Sequence, residues 1–525
     1  MLRRLVVVLC LGLLALSCER AALAGRSSIV FVSVDTLAAR HTSLHGYERR
    51  TTPGLDTFAE RSVVFERCWA NAPWTTPSYI SQFTGLLPAS FVPPGEFDPK
   101  RERWSLPPEH AVIAEVLLAN GYRTAAFVDN PNAGPLYELD RGFEYYDDSP
   151  SRLGLGQLDG GVELAASLAL QWLAELEDEA PFFLFLQVLD VHGPYHSGAK
   201  WTGEFPTSSV SSHQVPVSAS SDPILNAIPK YIADAASDGN QAVLATGPIL
   251  DDYDRGVRAM DDAITEFLAE LGTRGLLDRS WIFITADHGE SMVEHDSYFN
   301  HLLLHGEELH VPLIIRPPGG TPGRRVRNDV QLVDLFPTFL EIAGVTPRAQ
   351  LHGRSLFPAI RGAELDQRPA FAFGDFEKSR SIVDKGWKLV ETNPTLHSAG
   401  IVGFLSSKRG RRWIDRRFPD FRGKIFGTRE LPIESIIGLG ESFFAKEAGP
   451  EMYGPFRALY ELESDPGELV DVSADHPEQV QRLLDLLDRE EAKARELYIE
   501  YEPLREIEPE LRESLESLGY IGAEE

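Results

Sequence analysis

The chain has 525 residues, 43% of them apolar and 25% charged, enough to bury a large core in one big α/β domain with a smaller appendage. Its 79 acidic residues outnumber the 50 basic ones and give a formal net charge of −29. Because a strongly acidic surface repels phosphate backbones, this balance argues against a nucleic-acid partner. The chain has three cysteines, too few to predict a disulfide framework.

The N-terminus has the pattern of an export signal. Residues 1–4 carry positive charge, and residues 5–16 form an apolar run that is short for a membrane span. Cleavage after Ala22-Leu23-Ala24 would release a periplasmic or secreted protein. Alternatively, residues 14–18 resemble a bacterial lipoprotein box, in which Cys18 would carry a lipid anchor. We therefore exclude the predicted signal, residues 1–24, from the fold and expect an exported protein.

Short apolar runs that end on polar residues recur along the chain. They are residues 28–34 before Asp35, 123–128 before Asn130, 181–189 before Asp190 and His192, and 281–286 before Asp287 and His288. Helical patterns, such as residues 162–176 and 264–271, alternate with these runs. The alternation predicts a doubly wound, mostly parallel sheet with helices on both faces. In such sheets ligands bind at the carboxyl ends of the strands, where these polar residues would lie.

Residues 281–312 concentrate side chains that bind metals or transfer protons. Of the fourteen histidines in the chain, five lie here: His288, His295, His301, His305 and His310. Three acidic residues, Asp287, Glu290 and Glu294, are interspersed with them. An Asp-His pair directly after a buried strand is in the position expected for catalysis or metal binding.

Residues 71–88 predict a helix that begins at a pair of threonines. Pro77 suits the first helical position and Thr76 the N-cap before it, whose hydroxyl would bond to the first-turn amides. The hydroxyl of Thr75 would then lie at a helix N-terminus, a location that attracts anions. Ordinary capping by both Thr75 and Thr76 is the alternative at this point.

The remaining chain divides near residue 365. Residues 203–247 are rich in Ser, Ala, Pro and Gly and predict a surface insertion or lid, and residues 331–343 predict a helix. Four β-type runs (370–373, 381–383, 387–391 and 458–462) predict a small antiparallel sheet, and residues 475–478 begin a helix. The basic run 408–424 fits either contact with an anionic partner or a solvated loop. We predict an α/β domain over residues 26–365 and a C-terminal α+β subdomain over residues 366–525.

With these residues identified, the chain resembles the sulfatase family of the alkaline phosphatase superfamily over nearly its whole length. The resemblance is carried, in order, by VDTL, LDVHGPY, TADHGESMVEH, HVPLII, QLVDLFPTFLEIAG and LESLGYIG. It implies an alkaline-phosphatase-like fold, with a doubly wound, mostly parallel central sheet flanked by helices and a small C-terminal antiparallel sheet and helix.

The resemblance also implies an active site. The metal site of the family falls on Asp35, Asp287 and His288, and its nucleophile falls on Thr75. The substrate-contacting histidine of the family corresponds to His192. His301 lies at or next to the position of a lysine that contacts the ester group in sulfatases. These matches imply a divalent metal cofactor (Ca, Mg, Mn or Zn) and catalytic roles for Thr75, His192 and His301.

The chain departs from the family at several of these positions. Formylglycine-dependent sulfatases carry Cys or Ser in Cys-x-Pro-x-Arg, whereas this chain has Thr75-Thr76-Pro77-Ser78-Tyr79. Threonine cannot form that aldehyde, and Tyr79 replaces the arginine. Thr36 replaces the second acid of the usual Asp-Asp pair, and Ala38 and Arg40 replace Arg and Asp. A threonine nucleophile resembles other superfamily branches, such as phosphodiesterases and phosphoethanolamine transferases.

Three functions are compatible with these residues. The first is an exported, metal-dependent hydrolase of sulfate or phosphate esters, either small or derived from the cell envelope. The second is a phosphotransferase or phosphodiesterase that uses Thr75 as a covalent nucleophile. The third is a non-catalytic binding protein with the same fold, which the altered Thr36, Tyr79 and Arg40 would favour. No nucleic-acid partner is expected, and a lipid anchor to the membrane would follow from Cys18.

Overall fold

The structure is a computed structural model of the 525-residue chain. It describes residues 26–92, 106–152, 161–176, 180–193, 195, 205, 214–216, 243–245, 247–292, 294–296, 301, 303–347, 349–374, 379–392 and 456–499. The predicted signal segment with Cys18, the basic run 408–424 and the terminal LESLGYIG motif lie outside these residues. Within the described part, no helix combines the length and apolar character needed to cross a bilayer.

The described strands and α-helices follow one another along the chain. The strands are β1 (Ser28–Val34), β2 (Val63–Trp69), β3 (Arg123–Val128), β4 (Tyr145–Asp147), β5 (Phe182–Val188), β6 (Gln214–Pro216), β7 (Val243–Ala245), β8 (Ser280–Ala286), β9 (His310–Arg316), β10 (Arg324–Gln331), β11 (Ala370–Phe373), β12 (Arg380–Asp384), β13 (Trp387–Thr392) and β14 (Phe456–Glu461). The helices are α1 (Pro53–Ala59), α2 (Thr75–Thr84), α3 (Ile113–Ala119), α4 (Ser149–Arg152), α5 (Gly161–Glu175), α6 (Gly247–Thr273), α7 (Gly306–Leu309), α8 (Leu335–Ala343), α9 (Phe357–Ile360) and α10 (Pro477–Arg495).

A mixed, mostly parallel sheet forms the centre of the molecule. Its strand order is β10-β2-β9-β8-β1-β5-β3-β4, and only β9 runs antiparallel to its two neighbours. The central strands β5 and β8 are buried along their whole length, as expected for parallel strands covered on both faces. Helix α5 packs on β3 and β5, whereas α2 and α3 contact α8. This architecture confirms the fold class predicted from the sequence.

Strand register brings the predicted polar residues to one edge of this sheet. Val34 lies opposite Val188 on one side and Ala286 on the other, so β1, β5 and β8 end at the same level. Asp35, Asp287 and the loop with His192 therefore leave the sheet side by side. Strand β3 ends beside them, with Val128 opposite Gln187. The site is thus built on the carboxyl ends of four adjacent strands.

A second, four-stranded antiparallel sheet confirms the predicted small C-terminal sheet, and its strand order is β11-β12-β13-β14. It is joined to the large sheet through Asn71, whose side-chain amide donates to the carbonyl of Phe371 at 2.8 Å. Helix α10 covers this sheet with a stripe that includes the buried Leu483, Leu484 and Leu487. The predicted boundary between residues 365 and 366 stays a prediction.

Two local predictions need correction. Helix α2 begins at Thr75 with Trp74 at the N-cap position, so Thr76 is not the N-cap. Instead the Thr76 hydroxyl donates to the carbonyl of Asn132 at 3.0 Å, a partner that local pattern cannot reveal. Gln331 ends β10 rather than opening a helix. Residues 203–247, predicted as a surface insertion or lid, contain the antiparallel pair β6 and β7; most of the rest of that range lies outside the described residues, and the lid stays a prediction.

Candidate active site

Three metal-binding side chains meet at the centre of the sheet edge. Asp35, Asp287 and His288 are fully buried, and their ligand atoms lie within 4.8 Å of one another. His288 Nε2 is 3.6 Å from Asp35 Oδ1 and 3.6 Å from Asp287 Oδ2. The structure thus brings together the three residues that the sequence predicts as metal ligands.

The chemistry of these atoms fits a divalent cation. Asp35 Oδ1 and Asp287 Oδ2 are buried without a hydrogen-bond partner in the described part of the chain, which is costly for carboxylates unless a cation is present. His288 Nδ1 lies 2.8 Å from the Gly289 carbonyl. Because a carbonyl only accepts, Nδ1 carries the proton and Nε2 presents its lone pair to the two acids. Atoms 3.6 Å apart can both lie about 2.1 Å from one ion.

Burial shifts the pKa values of the same three groups. It raises the pKa of Asp35, and it raises the pKa of Asp287 well above its usual range, with the nearby Asp35 adding to the effect on Asp287. Burial also lowers the pKa of His288 well below its usual range. Each shift favours a neutral group. A bound cation would favour the ionised carboxylates instead, because opposite charge lowers a carboxyl pKa.

Two amide side chains fix the orientation of Asp35. Asn130 Nδ2 donates to Asp35 Oδ2 at 2.7 Å, and Gln187 Nε2 donates to the same oxygen at 3.2 Å. Both bonds use Oδ2, so Oδ1 is the oxygen that faces His288. Sequence reasoning assigned no role to either amide. The one signal for Gln187 is a lone polar residue in the otherwise apolar strand FFLFLQV.

Thr75 is the first residue of α2 and lies against the same group. It is fully buried, and its Oγ1 is 3.5 Å from His288 Nε2 and 3.4 Å from Asn130 Nδ2. Ser78, one turn along α2, donates its hydroxyl to the carbonyl of Asp287 at 2.6 Å. This bond fixes the helix start against the end of β8. A helix N-terminus also directs N–H groups and positive dipole toward an anion.

His192 and His301 lie together on one side of the group. The His301 ring centroid is 4.5 Å from that of His288 and 5.5 Å from that of His192. Glu290 Oε1 lies 3.0 Å from His301 Nδ1, and a carboxylate partner of this kind fixes the ring orientation. Every residue predicted for the site, Asp35, Thr75, His192, Asp287, His288 and His301, is therefore in one cluster. Their chemical roles stay predictions.

The other three histidines of residues 281–312 lie elsewhere. His310 Nε2 donates to the carbonyl of Glu66 at 2.8 Å. His295 and His305 stack with ring centroids 3.7 Å apart, and they contact acidic residues from two parts of the chain. We call this group the His295–Glu468 cluster; its members are His295, His305, Glu307, Lys388 and Glu468. Histidine density alone therefore overstates the size of the site.

The substituted positions also have structural explanations. The Thr36 hydroxyl donates to the carbonyl of Asp35 at 2.8 Å, and the residue has φ 55°, uncommon for a β-branched residue. Tyr79 is fully buried among aromatic rings, and its hydroxyl donates to Ser33 Oγ at 3.1 Å. Arg40 pairs with Glu294 and Glu307 at 3.3 and 3.7 Å.

Comparison with known proteins now identifies the family. The family model described as "Sulfatase" matches residues 27–345, a stretch that contains every residue of the cluster. The chain belongs to the sulfatase family. It is a sulfatase-like hydrolase of ester bonds, and the expected membership is confirmed at this level.

Relatives of this sulfatase-family protein are moderately distant. Arylsulfatase K of Xenopus laevis is 25% identical over 412 residues, which cover 70% of this chain and 74% of the relative. N-acetylgalactosamine-6-sulfatase of Canis lupus familiaris is 24% identical over 66% of this chain and 68% of the relative. Arylsulfatase K of Rattus norvegicus is matched over only 64% of its own length.

Solved structures share the fold at low identity. A protein solved in complex with its substrate D-glucosamine-2-N,6-O-disulfate has a TM-score of 0.63 and 18% identity, with 90% of this chain and 99% of that chain covered. The phosphonate monoester hydrolase of Agrobacterium radiobacter has a TM-score of 0.60 and 18% identity, with 89% and 96% covered. The fold is thus shared by a protein with a sulfated glucosamine substrate and by a phosphonate monoester hydrolase.

Proposed function

We propose that this sulfatase-family protein is an exported, metal-dependent ester hydrolase in which Thr75 is the nucleophile. The observation that carries the proposal is the position of Thr75 Oγ1, at a helix N-terminus and 3.5 Å from His288 Nε2. Asp35, Asp287 and His288 would hold the cation. Export is supported by the charged and apolar N-terminal pattern of residues 1–16.

The expected reaction is displacement at phosphorus or sulfur. Asp35, Asp287 and His288 would hold a divalent cation, which would supply positive charge near the ester oxygens and would favour the ionised form of a neighbouring hydroxyl. The Thr75 hydroxyl gives its proton to solvent, and its Oγ forms a bond to the central atom while the bond to the leaving oxygen breaks. His192 or His301 donates a proton to that oxygen. Water then cleaves the covalent intermediate and regenerates the hydroxyl.

The nucleophile favours phosphate esters as substrates. The sulfate route of the family uses an aldehyde hydrate, which threonine cannot form, whereas a threonine hydroxyl can form a phospho-threonine. The phosphonate monoester hydrolase fold match is compatible with this preference. The relative solved with a sulfated glucosamine keeps a sulfated sugar as the second substrate class. A phosphotransferase reaction would differ only in the acceptor, an alcohol instead of water.

Ester hydrolysis by the purified mature protein tests the proposal. The protein is stripped of metal, supplied with Ca, Mg, Mn or Zn, and assayed on nitrophenyl sulfate, nitrophenyl phosphate and bis-nitrophenyl phosphate. We expect metal-dependent turnover of a phosphate ester that falls by at least about 10³-fold in Thr75→Ala, with a covalent phosphoryl adduct on wild-type Thr75 by mass spectrometry.

The outcomes separate the candidate functions. Turnover of nitrophenyl sulfate that survives Thr75→Ala contradicts the nucleophile assignment. Faster release of nitrophenol when an alcohol is added, with transfer of the phosphoryl group to it, identifies a phosphotransferase. Absence of turnover of every ester, together with tight binding of one of them, favours the non-catalytic binding protein.

A further inference from the structure

We propose that Asn130 is a positioning residue whose single amide group contacts both the Thr75 hydroxyl and the Asp35 carboxylate and fixes their positions relative to each other. The inference deepens the proposed function and rests on it. Its geometric basis is that Asn130 Nδ2 lies 2.7 Å from Asp35 Oδ2 and 3.4 Å from Thr75 Oγ1. Asn130 is fully buried, so water does not compete for these contacts.

The orientation of the amide follows from its own turn. Asn130 Oδ1 accepts from the backbone N–H of Asn132 at 2.9 Å, in the short helical turn Pro131–Ala133 that follows β3. Only the oxygen of the amide can accept this bond, so the NH₂ group must face Asp35 and Thr75. The backbone N–H of Asn130 donates to Gln187 Oε1 at 2.8 Å. Side chain and backbone of Asn130 are thus fixed separately.

The same turn is bonded to the start of α2. The Thr76 hydroxyl donates to the carbonyl of Asn132 at 3.0 Å. The residue that follows Thr75 is therefore held by the turn that orients Asn130. Because this bond and the Asn130 amide act on adjacent residues, the distance between the end of β3 and the Thr75 hydroxyl is set by two hydrogen bonds rather than by packing alone.

This arrangement has two chemical consequences. When Thr75 loses its proton, an amide donor already faces the oxygen, and hydrogen bonds to ionised acceptors are stronger than those to neutral ones. The same amide holds Asp35 Oδ2, so that Asp35 Oδ1 stays directed to His288. Asn130 therefore couples the position of the nucleophile to that of a metal ligand.

The test uses Asn130→Ser, because serine is also an N-cap residue and can keep the turn, but its hydroxyl is too short to replace the amide. The matched control is Asn120→Ser, the same change at a half-buried asparagine that precedes β3, at the opposite end of this strand from Asn130, where the side-chain amide donates to the carbonyl of Val116 at 2.8 Å. Circular dichroism and thermal unfolding confirm that both variants fold.

Two readouts are measured on the mature protein. At saturating Mn²⁺, kcat for the phosphate ester should fall about 10–100-fold in Asn130→Ser with a change in KM of less than about threefold, and Asn120→Ser should stay near wild type. Without substrate, calorimetric titration with Mn²⁺ should show about 10-fold weaker binding in Asn130→Ser. Asn130→Ser should also cost more kcat in a Thr75→Ser background, because serine lacks the β-branch that restricts the threonine rotamer.

Each part of the proposal can fail separately. Equal kcat for Asn130→Ser and Asn120→Ser overturns the Thr75 part, as does an effect of Asn130→Ser that is identical in wild type and in the Thr75→Ser background. Unchanged Mn²⁺ affinity overturns the Asp35 part. Absence of ester turnover in wild type instead refutes the proposed function and with it the Thr75 part, while the titration still decides the Asp35 part.

Discussion

Asp35 and Asp287 place two carboxylates next to each other in a region that water does not reach. Each has one oxygen without a hydrogen-bond partner among the described residues, and both of these oxygens face His288 Nε2. Like charges at such a distance repel strongly in a medium of low dielectric constant. This arrangement supports the proposal that the two carboxylates and His288 bind a cation, because it adds little stability to the metal-free protein.

Asp287→Asn should separate these two effects. The change removes one carboxylate ligand and the repulsion with Asp35, so the metal-free variant should melt at or above the melting temperature of metal-free wild type. Mn²⁺ should raise the Tm of wild type, because a ligand that binds the folded state stabilises it, and it should leave the Tm of the variant nearly unchanged. Differential scanning calorimetry with and without Mn²⁺ measures both.

An acid outside the site provides the control for this experiment. Asp252 on α6 pairs with Arg255, so Asp252→Asn should keep the full Mn²⁺-induced rise in Tm. A rise of wild-type size in Asp287→Asn would contradict the assignment of Asp287 as a ligand.

Single residues also show what sequence could and could not predict. Asp35, Asp287 and His288 could be predicted, because they follow the ends of apolar strands and the carboxyl ends of parallel strands lie at one edge of the sheet. The contacts of Gln187 and Asn130 with Asp35 could not be predicted, because Asp35 is 152 and 95 residues away from them in the chain. The N-cap prediction for Thr76 failed for the same reason, since its hydroxyl bonds to a carbonyl 56 residues away.

At the scale of elements, two histidines that precede α7 lie in different places. His301 lies in the candidate site, whereas His295 lies in the His295–Glu468 cluster. His295 Nε2 donates to the carbonyl of Glu468 at 2.9 Å, and His295 Nδ1 faces the Glu307 carboxylate. A ring whose two nitrogens both face acceptors is best satisfied as the imidazolium. Burial lowers the pKa of His295, but the hydrogen bonds to Glu307 and Glu468 and the negative charges of these two residues together leave the pKa raised.

His295→Gln should therefore change the pH dependence of stability. A histidine whose folded-state pKa is raised contributes stability that is complete below its unfolded pKa of about 6.5 and is lost as pH rises through the folded value. The difference in free energy of unfolding between wild type and His295→Gln should thus be largest at pH 6 and shrink at pH 9. Urea titrations across this range measure it; a difference that grows with pH would contradict a charged His295.

The sequence pattern predicted the existence of helices and strands better than it predicted which of them lie side by side. The strands β1, β3, β5 and β8 and the small sheet follow from apolar runs and turns, which are local signals. The antiparallel direction of β9 has no such local signal, because it depends on β9 lying between β2 and β8 in the folded sheet. The stacking of His295 on His305 likewise depends on Glu468, which is 173 and 163 residues away.

Across the whole molecule, the two sheets are joined by a buried charge pair as well as by apolar packing. Lys388 on β13 of the small sheet is fully buried and donates to Glu468 Oε1 at 2.8 Å. Its ammonium also lies 5.2 Å from the ring centroid of Trp69, on β2 of the large sheet. Despite burial, Lys388 and His305 lower the pKa of Glu468 to about 2. The Glu468 carboxylate therefore stays ionised at neutral pH.

Lys388→Met should weaken this junction strongly. Methionine keeps most of the volume but leaves the Glu468 carboxylate buried without its cation, a loss worth about 3–5 kcal/mol of unfolding free energy. The matched control is Lys493→Met, because Lys493 pairs with Glu490 on α10 with 57% of its side chain exposed, and exposed pairs contribute less than about 1 kcal/mol. Urea unfolding at pH 7 compares the two. Because Glu468 also contacts His295 and His305, Lys388→Met should in addition lower amide-exchange protection in α7. Equal destabilisation by the two substitutions would show that the junction depends on apolar packing and not on the buried charge pair.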